Sequence, residues 1–189
     1  VAFKYAVAEV TGTDHASFTI DATTGVLSLK AQPDYETKSS YKVVITTTDG
    51  TNGDGKTYSE QLDVTVTNVN EAPTVANAIA DQIIAENGSL SFKISDNTFA
   101  DVDVGDTLTY TATQSDGSSL PSWLGFNAST GTFSGTPADN TFGTIGIKVT
   151  VTDSGSLSAD DTFNLSFGKQ PAFFVTKAVT NDTTKVSVY

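Results

Sequence analysis

Apolar residues recur at every second position in several stretches of this 189-residue chain: Ile145, Ile147, Val149, Val151; Leu90, Phe92, Ile94; Leu62, Val64, Val66; and Phe163, Leu165, Phe167. A two-residue period sends alternate side chains to opposite faces of a strand, so each run predicts a strand with one buried face. Turn-forming pairs punctuate the runs, among them Asp49-Gly50, Asn52-Gly53, Asp54-Gly55, Asn87-Gly88, Asp116-Gly117 and Thr130-Gly131. No stretch sustains a 3.6-residue period, and little or no helix is expected. Thirty-one threonines, with many valines and phenylalanines, suit a half-buried pleated surface. The fold class is therefore all-β, built from antiparallel β-sandwiches.

An internal repeat sharpens that expectation. The segment Asp21-Ala22-Thr23-Thr24-Gly25-Val26-Leu27-Ser28 recurs as Asn127-Ala128-Ser129-Thr130-Gly131-Thr132-Phe133-Ser134. Tyr5 maps onto Tyr110, and Thr47-Thr48-Asp49 onto Val151-Thr152-Asp153. A spacing near 105 residues is about one immunoglobulin-like sandwich. The residues from Thr74 to Thr109 have no counterpart before Tyr5, so the first sandwich is expected to lack its initial strands. The reading is a first unit over 1–72, a second over 73–168, and over 169–189 the opening strands of a further unit or a strand-complementing tail.

Charge narrows the function classes. Twenty-two acids stand against ten lysines and no arginine, a formal net charge of −12. Such a field repels phosphate backbones, which argues against nucleic acid as a partner. With no cysteine and one histidine, His15, there is no thiol nucleophile, disulfide or cysteine-based zinc site. No apolar run reaches membrane-spanning length, and the chain is not expected to be membrane-embedded.

The acids fall in clusters where strands end: Pro33-Asp34-Tyr35-Glu36, Asn68-Val69-Asn70-Glu71-Ala72-Pro73, and Ala100-Asp101-Val102-Asp103-Val104-Gly105-Asp106. Loop carboxylate and amide oxygens suit Ca²⁺, which takes six to eight oxygen ligands in irregular geometry. An EF-hand is not the frame, since Gly105 and Ala112 stand where ligands belong.

Asp34-Tyr35-Glu36, Asp49 and Asn68-Val69-Asn70-Glu71-Ala72-Pro73 resemble the Asp-x-Glu, x-Asp-x and Asp-x-Asn-Asp-x-x-Pro motifs of cadherin repeats. Glu86, Phe99-Ala100-Asp101-Val102-Asp103, Leu120-Pro121-Ser122-Trp123-Leu124 and Gly135-Thr136-Pro137 resemble dystroglycan-type cadherin-like domains of large bacterial, RTX-type surface adhesins. The resemblance spans roughly residues 3 to 168 and implies Ca²⁺ at the joint between consecutive domains. Its ligands would be Asp34 and Glu36, the Asn70 and Glu71 side chains, the Val69 and Ala72 carbonyls, and Asp101, Asp103 and Asp153. Asn68 stands where the family usually has Asp, and the exit Gly168-Lys169-Gln170-Pro171 carries no acid, so a full calcium joint there is not expected.

Simpler roles compete at several positions. Asp49 and Asp54 read as turn formers, Trp123 as core, and His15 as a loop residue without a special role. The expected function is a calcium-binding structural or adhesive segment of a secreted or cell-surface adhesin, its partners calcium ions and neighbouring domains of the same long chain. The alternative is a calcium-dependent module binding a cell-surface polysaccharide or peptide. The acids follow metal-type motifs rather than a paired-carboxylate hydrolase arrangement, and no enzymatic activity is expected.

Overall fold

The computed structural model describes residues 3–50, 55–85, 88–139 and 141–168. The sequence readings at Asn52, Gly53, Asp54, Glu86 and Asn87, and the strands expected over 169–189, lie outside the described residues. The chain forms two compact units that divide between Asn70 and Glu71. Among the described residues there is no α-helix, only a 3₁₀ turn at His15–Ser17.

The first unit contains β1 (Phe3–Val7), β2 (Phe18–Ile20), β3 (Leu27–Leu29), β4 (Ser40–Asp49) and β5 (Thr57–Thr65). β1, β4 and β5 form an antiparallel sheet in that order, and β2 and β3 a hairpin. Among its described residues Phe18 and Val43 are the buried apolar ones, and Phe18 meets the Tyr41 ring edge-on at 5.8 Å. The loop ahead of the 3₁₀ turn is pinned to β4 through Asp14. Its amide donates to the Lys42 carbonyl at 2.7 Å, and its carboxylate accepts the Lys42 amide at 2.8 Å and the Lys38 ammonium.

The second unit holds β6 (Thr74–Val75), β7 (Gln82–Ile84), β8 (Leu90–Lys93), β9 (Phe99–Ala100), β10 (Thr109–Gln114), β11 (Leu124–Asn127), β12 (Thr132–Gly135), β13 (Gly143–Thr152) and β14 (Ser158–Phe167). One sheet runs β10-β13-β14-β7, with β7 parallel to β14; a second runs β11-β12-β8; β6 pairs with β9. The alternation read from sequence is realised here: Ile147, Val149, Val151 and Leu165 are fully buried, and Phe163 nearly so. Phe133 of β12 is fully buried and meets Phe163 of β14 at 5.7 Å, across from one sheet to the other. Phe126 and Phe92 lie against Phe133 at 4.5 and 6.4 Å. Trp123 is half-buried against this core, its ring 5.1 Å from Phe167.

The repeated segments adopt one geometry. Asp21 Oδ1 accepts the amides of Thr23 and Thr24 at 2.9 and 2.7 Å; Asn127 Oδ1 accepts those of Ser129 and Thr130 at 3.0 and 3.2 Å. Each turn closes on a glycine in the left-handed region, Gly25 at φ 74° and Gly131 at φ 63°. Tyr5 pairs with Thr47 and Tyr110 with Val151, which makes β1 the counterpart of β10 and β4 that of β13. Among the described residues, the first unit has no counterpart of β7 or β8.

Two predictions follow from this packing. Phe133→Ala should lower the unfolding free energy of the second unit by about 3–5 kcal/mol, as expected for a large buried aromatic. Ile83→Ala, at a residue 83% exposed, should change it by less than about 0.5 kcal/mol; denaturant titration compares the two. In the first unit, hydrogen bonds from Lys38 and then the Lys42 amide hold the Asp14 carboxyl below its ordinary value. A depressed acid contributes stability above its unfolded pKa, near 3.8, that is lost as pH falls through the folded value. Asp14→Asn should therefore lower the melting temperature at pH 7, and the gap from the parent should close in scans below pH 3.8.

Candidate metal centre

β13 points Ile147, Val149 and Val151 into the core, and the next residue of that parity is Asp153. The inward register thus carries a carboxylate to the end of the sandwich, where Asp153 is 5% exposed. The turn into β14 fixes it: the Asp153 amide donates to the Leu157 carbonyl at 3.0 Å, and Asp153 Oδ1 accepts the Leu157 amide at 2.8 Å.

A second loop reaches the same end of the unit. β9 stops at Ala100, and residues 101–106 fold back on themselves before β10. Asp101 Oδ1 accepts the Asp103 amide at 3.0 Å, and the Asp106 amide donates to the Asp103 carbonyl at 3.2 Å. Gly105, at φ 102°, permits the reversal that a side-chain-bearing residue would resist. Ser154 Oγ donates to Asp106 Oδ1 at 2.7 Å and ties this loop to the β13–β14 turn.

Carboxylate oxygens of Asp101, Asp106 and Asp153 consequently lie within 4.8 Å of one another. Asp101 Oδ2 and Asp106 Oδ2 are buried and have no hydrogen-bond partner among the described residues. Three negative charges so close repel by on the order of 3 kcal/mol per pair at an effective dielectric near 20. Burying carboxylate oxygens without a donor adds a desolvation cost. A hard cation relieves both costs. Oxygens on one Ca²⁺ at about 2.3–2.6 Å are separated by at most about 5 Å, which the cluster's span satisfies.

Glu71 and Asp103 form a second acidic pair in the same unit. The Glu71 amide donates to Asp103 Oδ2 at 2.9 Å, and oxygens of the two carboxylates approach within 4.8 Å. Asp103 is 8% exposed, Glu71 and Ala72 are exposed, and Pro73 between Ala72 and β6 is buried.

Of the residues singled out in the sequence, Asp101 and Asp153 are thus in one cluster, and Glu71 and Asp103 in contact with each other. Asp34, Glu36, Val69 and Asn70 belong to the first unit. Asp34 Oδ1 accepts the amides of Glu36 and Thr37 at 3.0 and 3.2 Å, and Oδ2 accepts the Thr37 hydroxyl at 2.8 Å. Those bonds, the Thr37 hydroxyl foremost, hold the Asp34 carboxyl below its ordinary value, so it is a charged oxygen donor at neutral pH. Glu36 and Val69 are exposed and Asn70 half-buried.

Sequence reasoning did not assign Asp106 to the site. The available signal was its place as third acid of the run from Asp101, directly after a glycine. Other acids serve the fold instead. Asp161 Oδ2 accepts the Ile79 amide at 2.6 Å, and Asp81 Oδ1 accepts the Asn164 amide at 2.7 Å, stitching the segment around β7 to β14.

Solved structures share this fold. The chain aligns with Drosophila N-cadherin EC1-4 at TM-score 0.65 and 13% identity, covering 89% of this chain and 43% of that one. Mouse cadherin-23 EC22-24 aligns at TM-score 0.59 and 20% identity over 89% of this chain and 53% of that one. Human protocadherin-24 EC1-2 aligns at TM-score 0.60 and 19% identity over 90% and 83%. The chain thus spans about half the length, or less, of the N-cadherin and cadherin-23 segments. No curated protein sequence matches it. The two units are cadherin-like, Ig-like β structures, as the sequence led us to expect. The model of the He_PIG family, described as "Putative Ig domain", matches residues 72–168, just over half of the chain. Through that sandwich, with its core around Phe133 and its acidic loops at one end, the chain belongs to the He_PIG family.

Proposed function

We propose that this chain is a calcium-stiffened structural or adhesive segment of a secreted or cell-surface protein, of the kind found in long, RTX-type bacterial adhesins. The observation that carries the reading is the Asp101, Asp106 and Asp153 cluster with its two buried, unpartnered oxygens. The donor set is all oxygen, its members come from two loops of one sandwich end, and their bonding within the fold leaves the inward oxygens to a ligand. Ca²⁺ there would supply charge compensation and a cross-link between the β9–β10 loop and the β13–β14 turn.

The likeness of Asp34-Tyr35-Glu36 and Asn70-Glu71 to cadherin motifs extends the proposal to the joint between consecutive domains. In that extension Asp34, Glu36, Asn70, Glu71, Asp103 and the carbonyls of Val69 and Ala72 complete further calcium coordination. The adhesin would use it to hold neighbouring domains at a fixed angle, which transmits force along a long chain better than a flexible linker.

With a dissociation constant of about 10⁻⁴ to 10⁻³ M, usual for extracellular modules, 10 mM Ca²⁺ should stabilise the second unit by roughly 1.4–2.7 kcal/mol. Calorimetry should show a melting temperature several degrees higher in calcium than in excess EDTA. Superimposable scans would overturn the proposal. Asp101→Asn and Asp106→Asn should each weaken calcium binding by about tenfold or more in titration calorimetry. The same variants should be no less stable than the parent in EDTA, because each removes one repelling charge. Loss of EDTA stability with unchanged calcium affinity would make these carboxylates structural instead.

A further inference from the structure

The two copies of the repeated turn are used differently. In the first unit the Tyr5 ring lies on its turn: a Cβ placed at Gly25 would come within 3.1 Å of that ring, and the Tyr5 amide donates to the Ala22 carbonyl at 3.0 Å. In the second unit the neighbour of Gly131 is Ile94, 3.8 Å from the same virtual position, and no Tyr110 atom comes within 4 Å. The turn geometry is the same, so the difference lies in where the tyrosine stands. Between Tyr110 and the turn at 127–131 a cleft of about 740 Å³ opens. That volume is in the range of small-ligand sites.

The cleft has a mixed lining. Tyr110, Ile94 and Leu108 supply apolar surface, and Ser129 and Thr130 are the hydroxyl residues of the turn that line it, the Thr109 hydroxyl being bonded to the Thr152 carbonyl. Lys93 and Asp96 stand at the cleft as an ion pair, Nζ to Oδ1 2.6 Å, adding charge-assisted donors and acceptors with no net charge. Tyr110 is held in place, half-buried and edge-on to Phe99 at 6.1 Å. Desolvation, and then the charge of Asp96, raise its pKa, so the hydroxyl stays a neutral donor.

We infer that this cleft is a binding site for a neutral saccharide, one or more residues of a glycan chain. A pyranose carries an apolar face that suits the tyrosine and aliphatic strip, and a rim of hydroxyls that both donate and accept. The Lys93–Asp96 pair leaves no net positive charge to attract an anion, and the chain's charge of −12 disfavours one. A purely apolar ligand would strip water from an ion pair and two hydroxyl residues without replacing their hydrogen bonds. The carboxylate cluster of Asp101, Asp106 and Asp153 is not part of the lining, so the site is independent of the calcium reading.

Amide chemical-shift mapping of the whole chain with neutral gluco-, galacto- and manno-tetrasaccharides, and with sulfated counterparts, tests this. A neutral tetrasaccharide should shift the amides of Lys93, Asp96, Ser129 and Gly131 with a dissociation constant of about 1 mM or tighter. Ser129→Trp, which fills the cleft from an exposed turn, should abolish the shifts, and Asp96→Ala should weaken binding roughly tenfold. Both variants should keep the parent's melting temperature, and the shifts should be the same in calcium and in EDTA. Silence from every neutral tetrasaccharide, shifts that survive Ser129→Trp, or a preference for the sulfated ligands would overturn the assignment. If the calcium proposal failed instead, melting would not respond to EDTA while the saccharide shifts remained.

Discussion

The two sheets of the second unit meet across an apolar core, and that contact converges on Phe133. With no cysteine in the chain, there is no covalent link between the sheets. Phe133 is fully buried, with Phe126, Phe92 and Phe163 around it, and β13 and β14 bring Ile147, Val149, Val151 and Leu165 into the same interior. Each such side chain contributes roughly 1.5–3 kcal/mol when buried. The first unit buries far less: among its described residues only Phe18 and Val43 are buried apolar side chains. The core is therefore concentrated in the sandwich whose ends carry the unusual loops.

A rigid core is what makes the acidic loops chemically meaningful. A carboxylate on a free loop would move away from its neighbours, and repulsion would cost it nothing. Asp153 cannot do so, because it continues the buried face of a ten-residue strand whose register is fixed over its whole length against β14. Asp101 and Asp106 are held by bonds to the Asp103 amide and the Ser154 hydroxyl, which use one oxygen of each and leave the other directed inward. Stability stored in hydrophobic burial thereby holds like charges together. That arrangement is costly for a fold and useful for a cation site.

Much of the fold was legible in the sequence because it is dictated locally. Alternation at Ile145–Val151 and Phe163–Phe167 named both the strands and their buried faces. The Asp21 and Asn127 segments announced identical turns, since a side-chain oxygen two residues before a pair of amides, followed by glycine, specifies its own conformation. The acids were harder to read. Asp81, Asp161 and Asp106 look alike in sequence. Two of them satisfy backbone amides on β14 and at Ile79, and the third faces carboxylates. That distinction depends on which strands lie side by side, and no local pattern encodes it. Asp103 and Glu71 were recognisable as a pair only through their motifs; the amide-to-carboxylate bond joining them is a tertiary fact.

Repetition also set a limit on what could be inferred. Tyr5 and Tyr110 occupy matching positions beside matching turns, yet they pack differently. The divergence arises because β8 pairs with β12 in the second unit, and Ile94, directly after it, takes the place at the turn glycine that Tyr5 fills in the first. The Ile94 amide donates to the Gly131 carbonyl at 2.9 Å, so the intruding strand end is fastened to the turn itself. Tyr110 then keeps its strand register without the contact to the turn glycine that Tyr5 makes. A conserved backbone frame with one neighbour exchanged is enough to convert a packed aromatic into the wall of a cleft.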